Sequence, residues 1–320
     1  MKRRAAGLTA IVAILVVAGC VRVRQPDTRP TPRPGATLWK DPRRVATADL
    51  LNGPWGSECA PSATATYTFI ERKHKGVNPG MTVVDPQGRE WSVKQTPPGA
   101  LDHEAQVEVS ISRLLSAIGY HQAPVYFLPT FTLKDDRGSH TEVGGRFRLK
   151  EKTLKDVGAW SWASNPFIGT RAYNGLLSAM MMFNSTDLKE DNNSIYAHHI
   201  GDRVELWYAV RDIGSALGDT RRLGPYKSDA DAFEEEPFII GVTRNRVRFA
   251  YAGYYERYVR DRIAPADVRW TADLLGQLRD SQWRDAFRAG GYDEATATRF
   301  IRRLQEKIRE GRILGSGARS

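Results

Sequence analysis

Cysteine is scarce in this 320-residue chain. Only Cys20 and Cys59 occur, which excludes a disulfide framework and any zinc site built from four thiolates. Long apolar runs are missing too: the longest, Ala5 to Gly19, has 15 residues and is interrupted by Thr9, whereas a bilayer-spanning helix needs about 20. No internal repeat is visible. What is present is ordinary for a globular protein, with 41% hydrophobic and 26% charged residues. That balance excludes a disordered chain, a collagen-like repeat and a multi-span membrane protein. The formal net charge is +10, with Lys2, Arg3 and Arg4 contributing at the very start. Eight Trp, 12 Tyr and 11 Phe, on a chain of this length, predict a well-filled core.

The cationic start followed by the apolar run has the charge and length of a signal peptide, residues 1–19. The run closes on Val17-Ala18-Gly19-Cys20, which resembles the lipobox of bacterial lipoproteins. The resemblance implies cleavage before Cys20 and diacylation of its thiol, with palmitate-type chains as the membrane partner. It also implies a bacterial cell-envelope location, facing away from the cytoplasm. Each buried CH₂ adds about 0.8 kcal/mol, and stable anchoring takes more than one acyl chain. Residues 20–59 then read as a tether: Pro26, Pro30, Pro32 and Pro34 favour extended polyproline II. Arg22, Arg24, Arg29 and Arg33 suit an anionic membrane surface. Cys59 is expected to remain a lone thiol.

Beyond residue 60 the periodicity changes once. Tyr67 to Arg72, Met81 to Asp85 and Glu90 to Lys94 are short alternating or β-branched runs, and Asp85-Pro86-Gln87-Gly88 has hairpin-turn composition. Val107, Ile111, Leu114, Leu115 and Ile118 recur at three- and four-residue steps, predicting a helix over His103 to Ile118 that Gly119 stops. Val125 to Leu133 and Gly145 to Lys150 read as strands joined by the polar turn Lys134 to Ser139. Arg171 to Phe183 is helical with an apolar inner side. Past residue 228 the pattern is read as helical, most clearly at Ala295 to Arg309. The class is α+β, a sheet-rich unit at 60–150 followed by a helix-rich unit at 151–315.

Four polar signatures punctuate this order. Trp91-Ser92-Val93-Lys94 closes the third strand, and Glu104 and Glu108 share one face of the next helix. The loop after the apolar helix runs Ser185-Thr186-Asp187-Leu188-Lys189-Glu190-Asp191-Asn192-Asn193. A hydrophobic strand, Glu205 to Val210, leads into Arg211-Asp212-Ile213-Gly214. Together they resemble the two-lobed protein-kinase-like fold. The stretch from Glu108 to Gly119-Tyr120 and Pro124 is similar to the corresponding helix of HipA-type kinases and the secretory-pathway casein kinase family.

The resemblance implies ATP and Mg²⁺ as cofactors and a role for each residue. Asp187 would accept the acceptor-hydroxyl proton, with Lys189 beside the transferring phosphate. Asn192 and Asp212 would hold the metal, Asn193 being an alternative ligand one step on. Lys94 would grip the nucleotide phosphates with Glu108, preferred over Glu104, as its partner. The phosphate-covering loop Lys73 to Gly80 offers Gly76 and Gly80 for close backbone approach, and Lys73 or Lys75 for charge, but it lacks a full Gly-x-Gly-x-x-Gly. Ser185 and Thr186 replace the usual His-Arg, so no activation-loop phosphate switch is expected. The expected function is a membrane-anchored ATP/Mg-dependent phosphotransferase with an unknown protein or small-molecule acceptor. The alternative is an inactive kinase-like lipoprotein that serves as a scaffold. Three further features read as structural. Glu234-Glu235-Glu236 is a solvated loop, and His198-His199 a polar connection between strands. The basic-aromatic stretch Arg244 to Arg262 is a helical core face rather than a nucleic-acid surface.

Overall fold

The computed structural model describes residues 28–73, 80–95, 103–221 and 226–314. The expectations for residues 1–19, Cys20, Lys75 and Gly76 lie outside them. In chain order come β1 (Ala36–Thr37), β2 (Thr66–Lys73), β3 (Gly80–Val84), β4 (Glu90–Gln95), α1 (Glu104–Ala117), β5 (Val125–Asp135), β6 (Gly138–Leu149) and β7 (Leu154–Asp156). Then follow α2 (Arg171–Met182), β8 (Asn193–Ile200), β9 (Arg203–Val210), α3 (Ala230–Glu235), β10 (Ile239–Thr243), β11 (Arg246–Phe249), α4 (Pro265–Leu275), α5 (Asp280–Ala289) and α6 (Glu294–Ile313). The expected α+β architecture, a sheet lobe preceding a mainly helical lobe, is the one adopted. Among the described residues no helix is long and apolar enough to cross a membrane.

The expected antiparallel sheet goes one step further and closes into a barrel, β2-β3-β4-β6-β5, through parallel pairing of β2 with β5 (Thr66 opposite Thr132). Alternation explains the closure. Tyr67, Trp91, Phe131 and Phe147 all point inward and are almost wholly buried; Phe131 and Phe147 meet edge-to-face at 5.0 Å. The turn at Asp85 forms as its composition suggests, with Gly88 in the left-handed region (φ 76°) and its N–H donating to the Asp85 carbonyl. On β6 the residues on either side of Phe147 alternate to the other face. Arg146 and Arg148 therefore leave the barrel interior.

Helix α1 belongs to both lobes. Its Val107, Ile111, Leu114 and Leu115 join the core of the helical lobe, not that of the barrel, and the Gln106 amide donates to the Gly291 carbonyl after α5 (2.8 Å). This packing fixes the helix against the larger lobe. In that lobe α2 starts on a Thr170 cap, whose hydroxyl accepts from the Tyr173 N–H. Buried Lys307 of α6 donates to the Met182 carbonyl and the Asn184 side chain. It thereby fastens α6 to the end of α2.

Three expectations need correction. The segment assigned to the 20–59 tether is, from Thr28 onward, docked on the body. Leu38, Val45 and Leu50 are at most 2% exposed, β1 pairs parallel with β9, and the Gln282 amide donates to the carbonyls of Val45 and Ala48. The apolar residues between the prolines and residue 60 supply the reason. Next, Arg246–Phe249 is not helical but pairs with Ile239–Thr243 as a hairpin; on the second arm Arg246 and Arg248 alternate with Val247 and Phe249. Last, His198 and His199 lie inside β8, and His198 packs against Trp207 and Trp55.

His121 gives this docking a pH dependence. Its ring stacks on Trp207 at 4.4 Å and bonds the Thr37 hydroxyl at 3.3 Å. Burial holds its pKa down at about 4, against a weaker opposing pull from Glu205. The unfolded chain thus binds a proton near pH 6.5 that the fold does not, so stability present above that pH is lost as it falls toward 4. His121→Phe should retain the stacking and remove about 2–3 kcal/mol of the stability difference between pH 7 and pH 4.5. Urea midpoints at the two pH values measure it; equal acid sensitivity in parent and variant would refute the assignment.

Candidate functional site

The site lies where β4, β6 and α1 face the loops after α2 and β9. Lys94, in register with Arg146 across β4 and β6, places its ammonium 3.1 Å from Glu104. Lys227 of the helical lobe reaches the other oxygen of the same carboxylate at 2.6 Å. Burial would raise the Glu104 pKa, but the two ammonium groups hold it below the usual carboxylate range.

The pair expected between Lys94 and Glu108 does not form. One helical turn further on, buried Glu108 accepts from Arg146 Nε at 3.2 Å and from an Arg148 terminal nitrogen at 2.5 Å. The strand face that carries the two arginines lies against this turn of α1. Lys94, one strand over, meets the helix start.

Asp212 follows β9 in the left-handed region (φ 53°), a conformation uncommon for a residue with a side chain and concentrated at functional sites. Its carboxylate accepts from Arg148 at 3.1 Å and lies 3.7 Å from Arg146. Burial opposes its ionisation, yet Arg148, Arg146 and Lys94 together keep its pKa far below the normal value. Gly214, two residues on, passes the start of α1 so closely that a Cβ would sit 2.6 Å from the Glu104 carbonyl oxygen. The Asp-x-Gly glycine thus has a packing reason.

The loop after α2 is tied to the same place. The Thr186 N–H donates to the Ser215 carbonyl at 2.8 Å. Asp187 pairs with Lys189 at 3.0 Å, and although burial works against the lysine charge, this carboxylate holds the Lys189 pKa above its ordinary value. The Asn192 side-chain amide donates back to the Asp187 carbonyl at 3.0 Å, so the five-residue spacing closes a turn. Asn193 opposite Val210 starts the β8–β9 hairpin, which brings Asn192 and Asp212 to one end of it. Asn193 itself is fully buried and donates to the Trp160 carbonyl. Its Oδ1 has no hydrogen-bond partner among the described residues.

Of the covering loop, Gly80 and Lys73 are described. A Cβ on Gly80 would meet only ordinary contacts, the nearest at 3.5 Å on Lys73, so nothing there requires glycine. Lys73 donates to the Ser92 hydroxyl; partial burial first, then Arg146 and Arg148, bring its pKa down to about 8. Sequence reasoning missed Arg146, Arg148 and Lys227. The signal for the arginines was Arg146-Phe147-Arg148-Leu149, two cations alternating with two barrel residues.

The residues suit a phosphate-bearing ligand better than a divalent cation. Lys73, Lys94, Arg146, Arg148 and Lys227 are interleaved with Glu104, Glu108 and Asp212, with the Asn192 amide at the same end of the β8–β9 hairpin as Asp212. Mg²⁺ takes near-octahedral oxygen coordination from one or two carboxylates plus phosphates. The carboxylate that would serve, Asp212, is already engaged by two guanidinium groups. Among the described residues no three His, Cys, Asp or Glu side chains are grouped to hold an ion. The set does not fit Mg²⁺.

No family model and no curated protein matches the chain. Among solved structures it is similar to a Helicobacter pylori proinflammatory kinase, CtkA, at 11% identity and TM-score 0.43, over 78% of this chain and 97% of that one. The Rio2 kinase of Chaetomium thermophilum, solved as an ADP/Mg²⁺-phosphoaspartate complex, gives 13% identity and TM-score 0.35 over 77% and 71%. The Golgi casein kinase gives 9% identity and TM-score 0.33 over 82% and 76%. All three scores are low, and the chain's own side chains have to carry the functional reading.

Proposed function

We propose that the protein is a kinase-type phosphotransferase that uses a nucleotide as phosphoryl donor. One observation carries this reading. The Lys94–Glu104 pair, the Asp187–Asn192 turn and the Asp212–Gly214 turn are linked to one another: the Thr186 N–H donates to the Ser215 carbonyl, and Gly214 packs against Glu104. In this reading Lys94 and its cationic neighbours hold the phosphates. Asp187 orients an acceptor hydroxyl, and Lys189 offsets charge beside it. A thermal-shift series with ATP tests it: a ligand at a hundred times its dissociation constant stabilises the fold by about 2.7 kcal/mol. Lys94→Ala should weaken that shift as well as turnover, since its charge acts on bound phosphate before and during transfer. A parent melting curve unmoved by millimolar ATP would remove the nucleotide from the account.

A second reading, a binding module of kinase shape that transfers nothing, draws on a specific observation as well. Asp212 is tied to Arg148 rather than left open. Both readings place the protein at the envelope through an acylated Cys20. Cys20→Ser should move it from the membrane fraction to the soluble one with its melting temperature unchanged. Retention of the variant on membranes in high salt would contradict lipid anchoring.

A further inference from the structure

We propose that the cleft binds its phosphate-bearing ligand without a divalent cation, the guanidinium groups of Arg146 and Arg148 occupying the place a metal would take. The proposal rests on the nucleotide reading above and sets its cofactor requirement. Its basis is a four-residue network across the lobes: Glu108 accepts from both arginines (3.2 and 2.5 Å), and both reach Asp212 (3.7 and 3.1 Å). Glu108 and Arg146 have side chains only 3% and 4% exposed. Arg148 at 15% and Asp212 at 32% form the accessible edge.

A divalent ion captured by Asp212 would sit beside two fixed positive charges. It would also leave two mostly buried guanidinium groups sharing one carboxylate, and an unpaired buried charge is strongly unfavourable. Arginine needs no such help. It stays protonated at every physiological pH, and its planar fork matches phosphate oxygens two at a time. With Lys73, Lys94 and Lys227 added, the cleft carries five cations against Glu104, Glu108 and Asp212. The surplus of two positive charges is what a polyphosphate chain requires. Glu108 supplies the rigidity by holding both forks before the ligand arrives.

Calorimetric titration of the parent protein with ATP, and separately with inorganic tripolyphosphate, in excess EDTA or in 5 mM Mg²⁺ (about that concentration) tests this. The expected binding in EDTA is no weaker than that in Mg²⁺, because the free ion ties up the ligand's own phosphates. Binding at least tenfold weaker in EDTA overturns the proposal. Tripolyphosphate binding without ATP binding would leave the arginine clamp standing and reject the nucleotide reading; no binding of either rejects both. Mn²⁺ spectroscopy should show free ion in the presence of protein and ATP, beyond what ATP alone captures; a protein-bound Mn²⁺ signal contradicts the proposal. Arg148→Gln should lose at least tenfold in EDTA and recover part of it with Mg²⁺, because Asp212 is released. Should that variant not fold, Lys73→Gln, on the rim strand, should weaken tripolyphosphate in EDTA severalfold. Parent-like affinity in EDTA for whichever variant folds would overturn the clamp.

Discussion

Asp187→Ala is expected to leave nucleotide affinity within about twofold of the parent while phosphoryl transfer, autophosphorylation included, falls by about 10²–10⁴, the usual contribution of a positioned base. The expectation follows from placement. Asp187 sits on the turn after α2 with Lys189 as its ion-pair partner, whereas the cations proposed to hold phosphate come from β2, β4, β6 and the segment around Lys227. Removing the carboxylate takes nothing from the ground-state grip on phosphate. The surrounding turn should survive, because Asn192 donates to the Asp187 backbone carbonyl, not to its side chain. Transfer by the variant at the parent rate would show that Asp187 is not the base. A concurrent loss of ATP binding would show that it faces the nucleotide instead.

Glu108→Gln should be the most destabilising single change at the cleft. It keeps the shape of the side chain but removes the charge that Arg146 and Arg148 share inside the protein. Breaking a buried ion pair from one side typically costs about 3–5 kcal/mol, a fall in Tm on the order of 10 °C for a chain of this size. Glu104→Gln, whose lysine partners retain access to water (side-chain exposures of 22% and 26%), should cost markedly less. Scanning calorimetry of the two variants makes the comparison. Equal melting temperatures would mean that the arginine network contributes little to the fold.

Much of this architecture was legible in the residues because local pattern and tertiary demand agree. The alternating runs at 67–72, 81–85 and 90–94 became β2, β3 and β4, and the three-four spacing from Val107 to Ile118 became α1. The strand before Asp212 and the turn holding Asp187 and Asn192 also lie where their composition put them. What could not be read depends on partners far along the chain. Glu104 and Glu108 share a helix face, so spacing alone cannot rank them; the choice is made by Arg146 and Arg148, some forty residues away. The 36–50 segment has no periodicity of its own, since it fills gaps on the outside of the helical lobe's core. Arg244 to Arg262 shows aromatic residues at steps that suit a helix, but strand pairing and a following 3₁₀ turn take precedence.

The docking of the amino-terminal segment also sets a length. Thr28 is held by the Ala163 carbonyl at 3.0 Å and Arg29 by that of Pro166, and Ser161 of the same stretch bonds Glu190, on the turn that begins at Asp187. If Cys20 is acylated as proposed, the stretch of chain from Cys20 to Thr28 sets the reach of the tether. At full extension it spans about 26–29 Å, whatever path it takes. The body would patrol a thin shell over the lipid, with the side of the helical lobe next to Asp187 nearest the surface. Acceptors in that shell would be met at the high effective concentration of a tethered encounter, while a hydroxyl on a large soluble partner would be kept out by the membrane itself.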